Sequence, residues 1–336
     1  MQALPQALFI VMLELTIGSF VSLYLLDLRG DTSRGFVKFQ GILYLVFSVL
    51  TLLAMNSFAT PDIVRGDGLD ETWLRAQGPL VLLFTLLLVP WNMLLFGDRQ
   101  PGVKKVKGER LPVTPRARAR FVAGALTALV GLAALFAVGM AYRTLADAHL
   151  GGAFVVLAFV AGGVALGGVM TAMLLGHWYL NTPTASGKPL EFVTALLVGA
   201  LVAELAFSLL IGPSTAHLNP NAQLLPPGTT IETTGSGGVK ISTQTPAKTP
   251  TSRSGQPGQG QQQQPPARQT PLDTTAMVWL QYLMGLIAPG VLAVVALYLT
   301  RGRSFQSATG MLYLAVSFIF IGEVLGRGLL LLPIFG

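Results

Sequence analysis

Eight long apolar stretches constrain what this chain can fold into more than any other feature of its sequence. Each reaches the roughly 20 residues that a helix needs to cross the hydrocarbon core of a bilayer. They cover residues 6–27, 36–56, 78–97, 119–143, 152–180, 189–212, 275–300 and 305–333. Hydrophobic residues make up 52% of the 336 and charged residues 11%, a balance that excludes a soluble globular domain. The sequence therefore predicts an all-α integral membrane protein, a bundle of eight transmembrane helices.

Lysine and arginine predict the orientation of this bundle, because cytoplasmic loops are enriched in both. Residues 98–120 carry a dense group of them, and the other loops on the same side, such as 301–304, are also basic. All eight spans then agree with one arrangement, in which both chain termini lie outside. The first span has no basic segment before it, so we expect a retained helix and not a cleaved signal peptide. Because the net charge of +7 comes largely from these loops, nucleic acid is not an expected partner.

Residues 213–274 differ in kind from the rest of the chain. They are rich in proline, glycine, threonine and glutamine and have few large apolar side chains. Such a composition does not bury enough apolar surface to fold, so we expect a disordered external loop that serves as a spacer or as a tether for a partner. The chain thus divides into residues 1–212 with spans one to six, the loop 213–274, and residues 275–336 with the last two spans.

Ionisable side chains inside the apolar spans are the main candidates for function, because they are costly there and usually face the protein interior. Counting ~1.5 Å of rise per residue, Glu14, Glu204 and Glu323 all fall in the outer half of the membrane, with Arg143 and Arg327 at its outer rim. Glu323 and Arg327 are one helical turn apart and can pair. A structural interpretation stays open, in which the pair anchors the last helix and each carboxylate fixes a helix contact.

The fifth span contributes two further features. Its Gly163-x-x-x-Gly167 spacing lets another helix approach closely, which predicts a position at the centre of the bundle. His177, near the inner end of this span, is a candidate haem ligand or proton carrier, or an interface residue that is only hydrogen-bonded.

Several kinds of site are not expected in this chain. It has three histidines and no cysteine, so we expect neither a haem nor an iron–sulfur cluster bound to it. It also has no metal-ligand spacing, phosphate loop or nucleophile motif, so the chain alone is expected to carry out no bond-making chemistry.

The run Gly322-Glu323-Val324-Leu325-Gly326-Arg327-Gly328, preceded by Ser317-Phe318-Ile319, resembles the end of the last helix in dimethyl sulfoxide reductase membrane anchors. A fainter likeness covers residues 53–61, where that family has a histidine and this chain has Asn56 and Ser57. Those anchors have eight helices with both termini outside, oxidise quinol and pass electrons to a bound iron–sulfur subunit. The resemblance therefore implies a multi-pass subunit of the bacterial cytoplasmic membrane, with quinone and with iron–sulfur or cytochrome redox subunits as partners besides the lipid bilayer.

The function predicted from the sequence is that of a membrane-anchor subunit in a respiratory or redox complex. Glu323 and Arg327 would form one wall of a quinone-headgroup site near the outer leaflet, with Glu14 or Glu204 as the proton acceptor and His177 as a further candidate. Two other functions stay open. One is a proton-coupled transporter of a small solute, in which the three glutamates line a path, and the other is a structural subunit of a respiratory or photosynthetic complex.

Overall fold

The computed structural model describes residues 3–59, 69–97, 114–145, 152–182, 186–211, 229–234, 238–243 and 274–335. Eight helices in these ranges are long and apolar enough to cross a membrane, which confirms the predicted fold class and makes this a multi-pass membrane protein. They are α1 (Ala3–Arg29), α2 (Arg34–Phe58), α3 (Glu71–Gly97), α4 (Pro115–Tyr142), α5 (Ala153–Asn181), α6 (Lys188–Ile211), α7 and α8 (Phe305–Phe335). Helix α7 begins with a short α-helical part (Thr274–Gln281), continues as a π-helical segment (Tyr282–Ile287) and ends with a second α-helical part (Ala288–Arg301).

Polar caps set several helix ends a few residues beyond the apolar stretches. The Ser33 hydroxyl accepts a hydrogen bond from the backbone N–H of Phe36, and the Thr114 hydroxyl accepts one from Ala117, directly before Pro115 at the first turn of α4. A side-chain oxygen at this position satisfies one of the free N–H groups at a helix start. Composition alone placed these starts too late, because it counts only the apolar residues that follow the cap.

Helices α1 and α5 form the centre of the bundle. Helix α1 packs against α2, α4, α5, α6 and α8, and α1 and α5 are the two most buried spans. Where they cross, the backbone carbonyl of Gly163 occupies the place that a Cβ atom on Gly18 would take. A Cβ on Gly167 would likewise meet the backbone of Gly18 and Ser19. The prediction of a close helix approach at Gly163 and Gly167 is confirmed, and its partner is Gly18.

A buried ionic group joins three helices at the end of the bundle where α1 ends. Asp27 of α1 lies 3.0 Å from Nη1 of Arg34 in α2 and 3.1 Å from Nε of Arg120 in α4. The Arg120 side chain is fully buried and Asp27 is 3% exposed. Residue 120 counted only as loop charge in the sequence, because a pairing between distant helices leaves no local pattern. Here it links α4 to the bundle centre.

The long segment predicted to be disordered contains secondary structure. Strands β1 (Thr229–Thr234) and β2 (Gly238–Thr243) form an antiparallel hairpin in which Ile231 pairs with Ile241. Two short runs with β-branched residues favour such a pairing whatever the average composition of the segment, and the disordered external loop stays a prediction. The rest of residues 213–273 lies outside the described ranges. The hairpin belongs to Leu218–Asp273, which separates from the helical bundle as a unit of its own.

The first testable prediction concerns orientation. In right-side-out membrane vesicles, an added protease is expected to cut within residues 240–265 and to leave residues 104–118 intact, because lysine and arginine place the second loop inside. Mass spectrometry of the fragments gives the cut sites, and inside-out vesicles serve as the control with the opposite pattern. Cleavage at 104–118 from outside, with 240–265 protected, would contradict the orientation. Of these two ranges, residues 104–113 and 244–265 lie outside the described residues.

Candidate functional site

The candidate ionisable residues of three helices meet in one place. Nη2 of Arg327 lies 2.6 Å from Oε1 of Glu14 in α1 and 3.0 Å from Oε2 of Glu323, one turn earlier in α8. Nε of Arg327 donates a further hydrogen bond to Oε2 of Glu14, at 3.3 Å. Glu14 is completely buried and Arg327 is 8% exposed. The pair predicted from the i, i+4 spacing is present, and Glu14 completes it as the closer partner.

Glu204 of α6 is the fourth member of this group, which we call the carboxyl cluster (Glu14, Glu204, Glu323 and Arg327). Its Oε1 atom lies near that of Glu323, since a Cβ atom on Gly162 would be 3.0 Å from both, and its Oε2 atom is buried with no hydrogen-bond partner among the described residues. A hydrogen bond between two carboxyl groups requires a proton on one of them. Two buried carboxyl side chains this close together can share a proton inside the bundle.

Helix α5 supplies the floor beneath the carboxyl cluster. A Cβ atom on Gly162 would lie 2.7 Å from Nη2 of Arg327 and 3.0 Å from Oε1 of both Glu204 and Glu323. One turn earlier, the ring of Phe159 lies under the guanidinium, with 4.2 Å from the Arg327 Cζ atom to the ring centroid. An aromatic face stabilises a cation that has left water. The sequence marked this helix for its glycines as a packing surface, and it is also one side of the ionic site.

Two residues considered together with this group lie elsewhere. Arg143, expected at the outer rim, pairs with Asp70 at 3.2 Å and takes no part in the cluster. His177 is exposed, and its Nδ1 atom lies 3.3 Å from the hydroxyl of Tyr313. It is 15 residues along α5 from Gly162, which corresponds to roughly 22 Å of helix rise. The structure thus does not place His177 at the same site as the glutamates.

A cavity adjoins the carboxyl cluster at the end of the bundle where α1, α5 and α7 begin. Its walls come from α5, α6, α7 and α8 and combine apolar side chains with four polar ones, those of Ser208, Gln281, Tyr282 and Arg327. Its volume is about 50 Å³, or about 500 Å³ of empty space if the open side is included. Of the carboxyl cluster, Arg327 is the member that lines this cavity. The carboxylates lie behind Arg327, and the wall of Glu323 and Arg327 in a quinone site stays a prediction.

The wall opposite Arg327 is shaped by the π-helical segment of α7. Such segments are short departures from the α-helix that are often found at functional sites. The segment begins at Tyr282, whose hydroxyl donates a hydrogen bond to the backbone carbonyl of Ser208 at 3.2 Å. Within it, Gly285 crosses Gly322 of α8 so closely that a Cβ on Gly285 would lie 3.0 Å from the Gly322 Cα atom. This crossing holds α7 directly against the turn of α8 that carries Glu323.

Sequence reasoning missed four residues of this site: Phe159, Gly162, Gln281 and Tyr282. None is charged, so none was costly enough in a membrane to draw attention. A weak signal existed at the start of α7, where Gln281 and Tyr282 place two polar groups in succession in an apolar span. Their importance comes from the packing of α7 on α8, which no local pattern encodes.

The arrangement has a definite chemical capacity. Arg327 is a buried donor of hydrogen bonds whose ion pairs use Nε and Nη2, so that its Nη1 group takes no part in them. The carboxylates of Glu14 and Glu323 fix its position, and Glu204 lies close to Glu323 as a further carboxyl group. Among the described residues, no group of three or more histidine, aspartate or glutamate side chains is suited to a metal ion. The site is therefore equipped to bind an oxygen atom of an otherwise apolar ligand.

Comparisons of this chain with models of protein families, with curated proteins and with solved structures find no match.

Proposed function

We propose that this chain is the membrane subunit of a redox complex and that it binds a quinone headgroup in the cavity beside Arg327. The observation that carries the proposal is a buried guanidinium, fixed by two carboxylates, at the wall of a cavity that has both apolar and polar lining side chains. Small-molecule sites commonly combine apolar walls with a few placed polar groups. A quinone has the matching form, an apolar ring and tail with carbonyl oxygens at the edge.

In this function, Arg327 donates a hydrogen bond to a quinone carbonyl and so fixes the ring in the cavity. Reduction to quinol takes up two electrons from the partner subunit and two protons, which pass in turn from the aqueous phase through the carboxyl groups behind Arg327. Oxidation of quinol runs through the same contacts in reverse. The electrons pass to or from a partner subunit, since this chain has no cysteine to hold an iron–sulfur cluster.

The test of this function is the variant Glu323→Gln in the assembled complex. Arg327 keeps its shorter contact to Glu14, so we expect the protein to assemble. The affinity for a quinol analogue, 2-heptyl-4-hydroxyquinoline N-oxide, is expected to fall by roughly tenfold, because a hydrogen bond from a charged group contributes about 1.5–3 kcal/mol and Arg327 loses one of the two carboxylates that aim it. Fluorescence titration of the analogue measures the affinity.

Glu191→Gln is the matched control, because Glu191 pairs with Arg301 at 2.8 Å on an exposed part of the bundle. Its affinity for the analogue should equal that of the unmodified protein. If Glu323→Gln, Glu204→Gln and Glu14→Gln all bind the analogue normally, the quinone site is refuted. The structural or transporter function would then be the better explanation of the buried carboxyl groups.

A proton-coupled transporter is the second candidate, and one observation favours it. The interruption of α7 by a π-helical segment lies at the cavity and against the helix that carries Glu323. Interrupted helices near the middle of the membrane are where secondary transporters bind their substrates and coupling ions. Proton uptake driven by a solute gradient in vesicles, with no effect of quinone analogues, would favour this function over the first.

A further inference from the structure

The charge balance of the carboxyl cluster restricts what can bind beside it. Three carboxyl side chains surround a single guanidinium, and all four side chains are at least nine-tenths buried. With one proton on the three carboxyl groups, two carboxylates remain against one cation. Even with a second proton the group is only neutral. The cavity therefore contains a strong hydrogen-bond donor, Arg327, without an excess of positive charge that would attract an anion.

Gln281 supplies the second donor in the cavity. Its side-chain amide lies directly over Gly326, such that a Cβ on residue 326 would be 2.5 Å from the Gln281 Nε2 atom and 3.1 Å from its Cδ atom. Gly326 immediately precedes Arg327 in α8, and both residues line the cavity with Gln281. Tyr282 is not a competing donor, because its hydroxyl proton is used by the Ser208 carbonyl. Because Gly326 has no side chain, the Gln281 amide lies against the backbone of α8, one residue before Arg327.

We propose that Gln281 and Arg327 together select a neutral carbonyl oxygen in this cavity and that the carboxyl cluster excludes anionic headgroups of the same size, a selectivity that presupposes the quinone-binding function proposed above. Gln281 is the specificity-determining residue, and Gly326 positions it. A ring carbonyl accepts from both donors. A ring that carries a negative oxygen meets the same donors, but it adds a like charge beside two carboxylates in a medium of low dielectric constant.

Two small quinones of nearly equal size separate these cases. The neutral one is 2-methyl-1,4-naphthoquinone, and the other is 2-hydroxy-1,4-naphthoquinone, which is an anion at neutral pH. Calorimetric titration of the full-length chain in lipid nanodiscs measures both affinities. We expect the neutral quinone to bind at least about tenfold more tightly, since like charges a few ångströms apart at a partly buried site repel by more than 1 kcal/mol.

Three variants connect this selectivity to Gln281. Gln281→Ala is expected to lower the affinity for the neutral quinone by roughly threefold to tenfold, because one hydrogen bond is lost. Gly326→Ala should weaken it in the same way, because its methyl group takes the place of the amide. Gly328→Ala is the matched control two residues further along α8, where a Cβ would meet nothing within 4 Å, and it should bind as the unmodified protein does.

The outcomes distinguish this inference from the function on which it rests. Equal or tighter binding of the anionic quinone, or an unchanged affinity in Gln281→Ala, overturns the selectivity while the quinone site itself stands. If the unmodified chain binds neither quinone nor the N-oxide analogue, the proposed function fails and the selectivity fails with it. Gln281→Ala removes atoms and adds none, so it creates no steric clash. It therefore tests the selectivity even if Gly326→Ala does not fold.

Discussion

Replacing Gly18 with alanine is expected to prevent formation of a stable bundle. The new Cβ atom would fall on the backbone carbonyl of Gly163, and neither helix can move a backbone atom aside without separating from the other. Overpacking a well-packed interior costs about 1–3 kcal/mol and more where backbone must shift. Because α1 packs against five other helices, the loss spreads through the whole bundle. We expect little monodisperse protein in detergent and a large fall in the melting temperature of what remains.

Gly199→Ala provides the comparison, since a Cβ atom at residue 199 of α6 would meet nothing within 4 Å. Both variants add one methyl group to a transmembrane helix, so they differ only in what surrounds it. Size-exclusion chromatography and thermal unfolding of the two variants, measured side by side, compare their stability. A Gly18→Ala protein as stable as Gly199→Ala would show that α1 and α5 do not cross in the way described.

The second large effect is expected for Asp27→Asn, at the other end of the bundle. This variant keeps the size of the side chain but removes the carboxylate that both Arg34 and Arg120 contact. Arg120 is fully buried, so its charge is far more costly once that carboxylate is neutralised. Removing one member of a buried ion pair destabilises by about 3–5 kcal/mol. We expect the free energy of unfolding of Asp27→Asn to be lower by this amount. Under the proposed function, the folded variant should bind quinone as tightly as the unmodified protein.

A surface pair gives the control for this experiment. Glu71 and Arg75 are one turn apart in α3 at 3.0 Å, and both side chains are more than two-thirds exposed. Exposed pairs of this kind contribute about 0–1 kcal/mol, so Glu71→Gln should be nearly neutral. If Asp27→Asn were equally neutral, the ionic group at the end of α1 would not hold the three helices together.

The number of spans could be predicted because a membrane-crossing helix is a property of a single stretch of chain. The common depth of Glu14, Glu204 and Glu323 was also accessible, since the rise per residue is fixed. What the sequence does not contain is the rotation of each helix about its axis. That rotation decides that Glu14 is the closer partner of Arg327, that Arg327 lines the cavity, and that His177 lies far from both.

Other differences have local physical causes. Arg120 looked like one more positive charge of a loop, because its carboxylate partner is more than 90 residues away in the chain. The hairpin of β1 and β2 was hidden by averaging over a long segment in which threonine, isoleucine and valine are concentrated in two short runs. The π-helical segment of α7 has a wider turn than an α-helix. The side chains before Tyr282 therefore face other directions than a regular α-helix drawn through the whole span would give them.

The pairing of Glu14 with Arg327 also bears on how this protein is made. The two residues are 313 positions apart, so the carboxyl group of the first span is synthesised long before its cation. At a synthesis rate of about 5–20 residues per second, the interval is roughly 15–60 s. Helix α5 (Ala153–Asn181) follows about halfway through this interval, but Arg327 of α8 follows only at its end. The first helix must therefore wait beside the insertion machinery or in contact with lipid headgroups, and the bundle closes around it only when the last helix arrives.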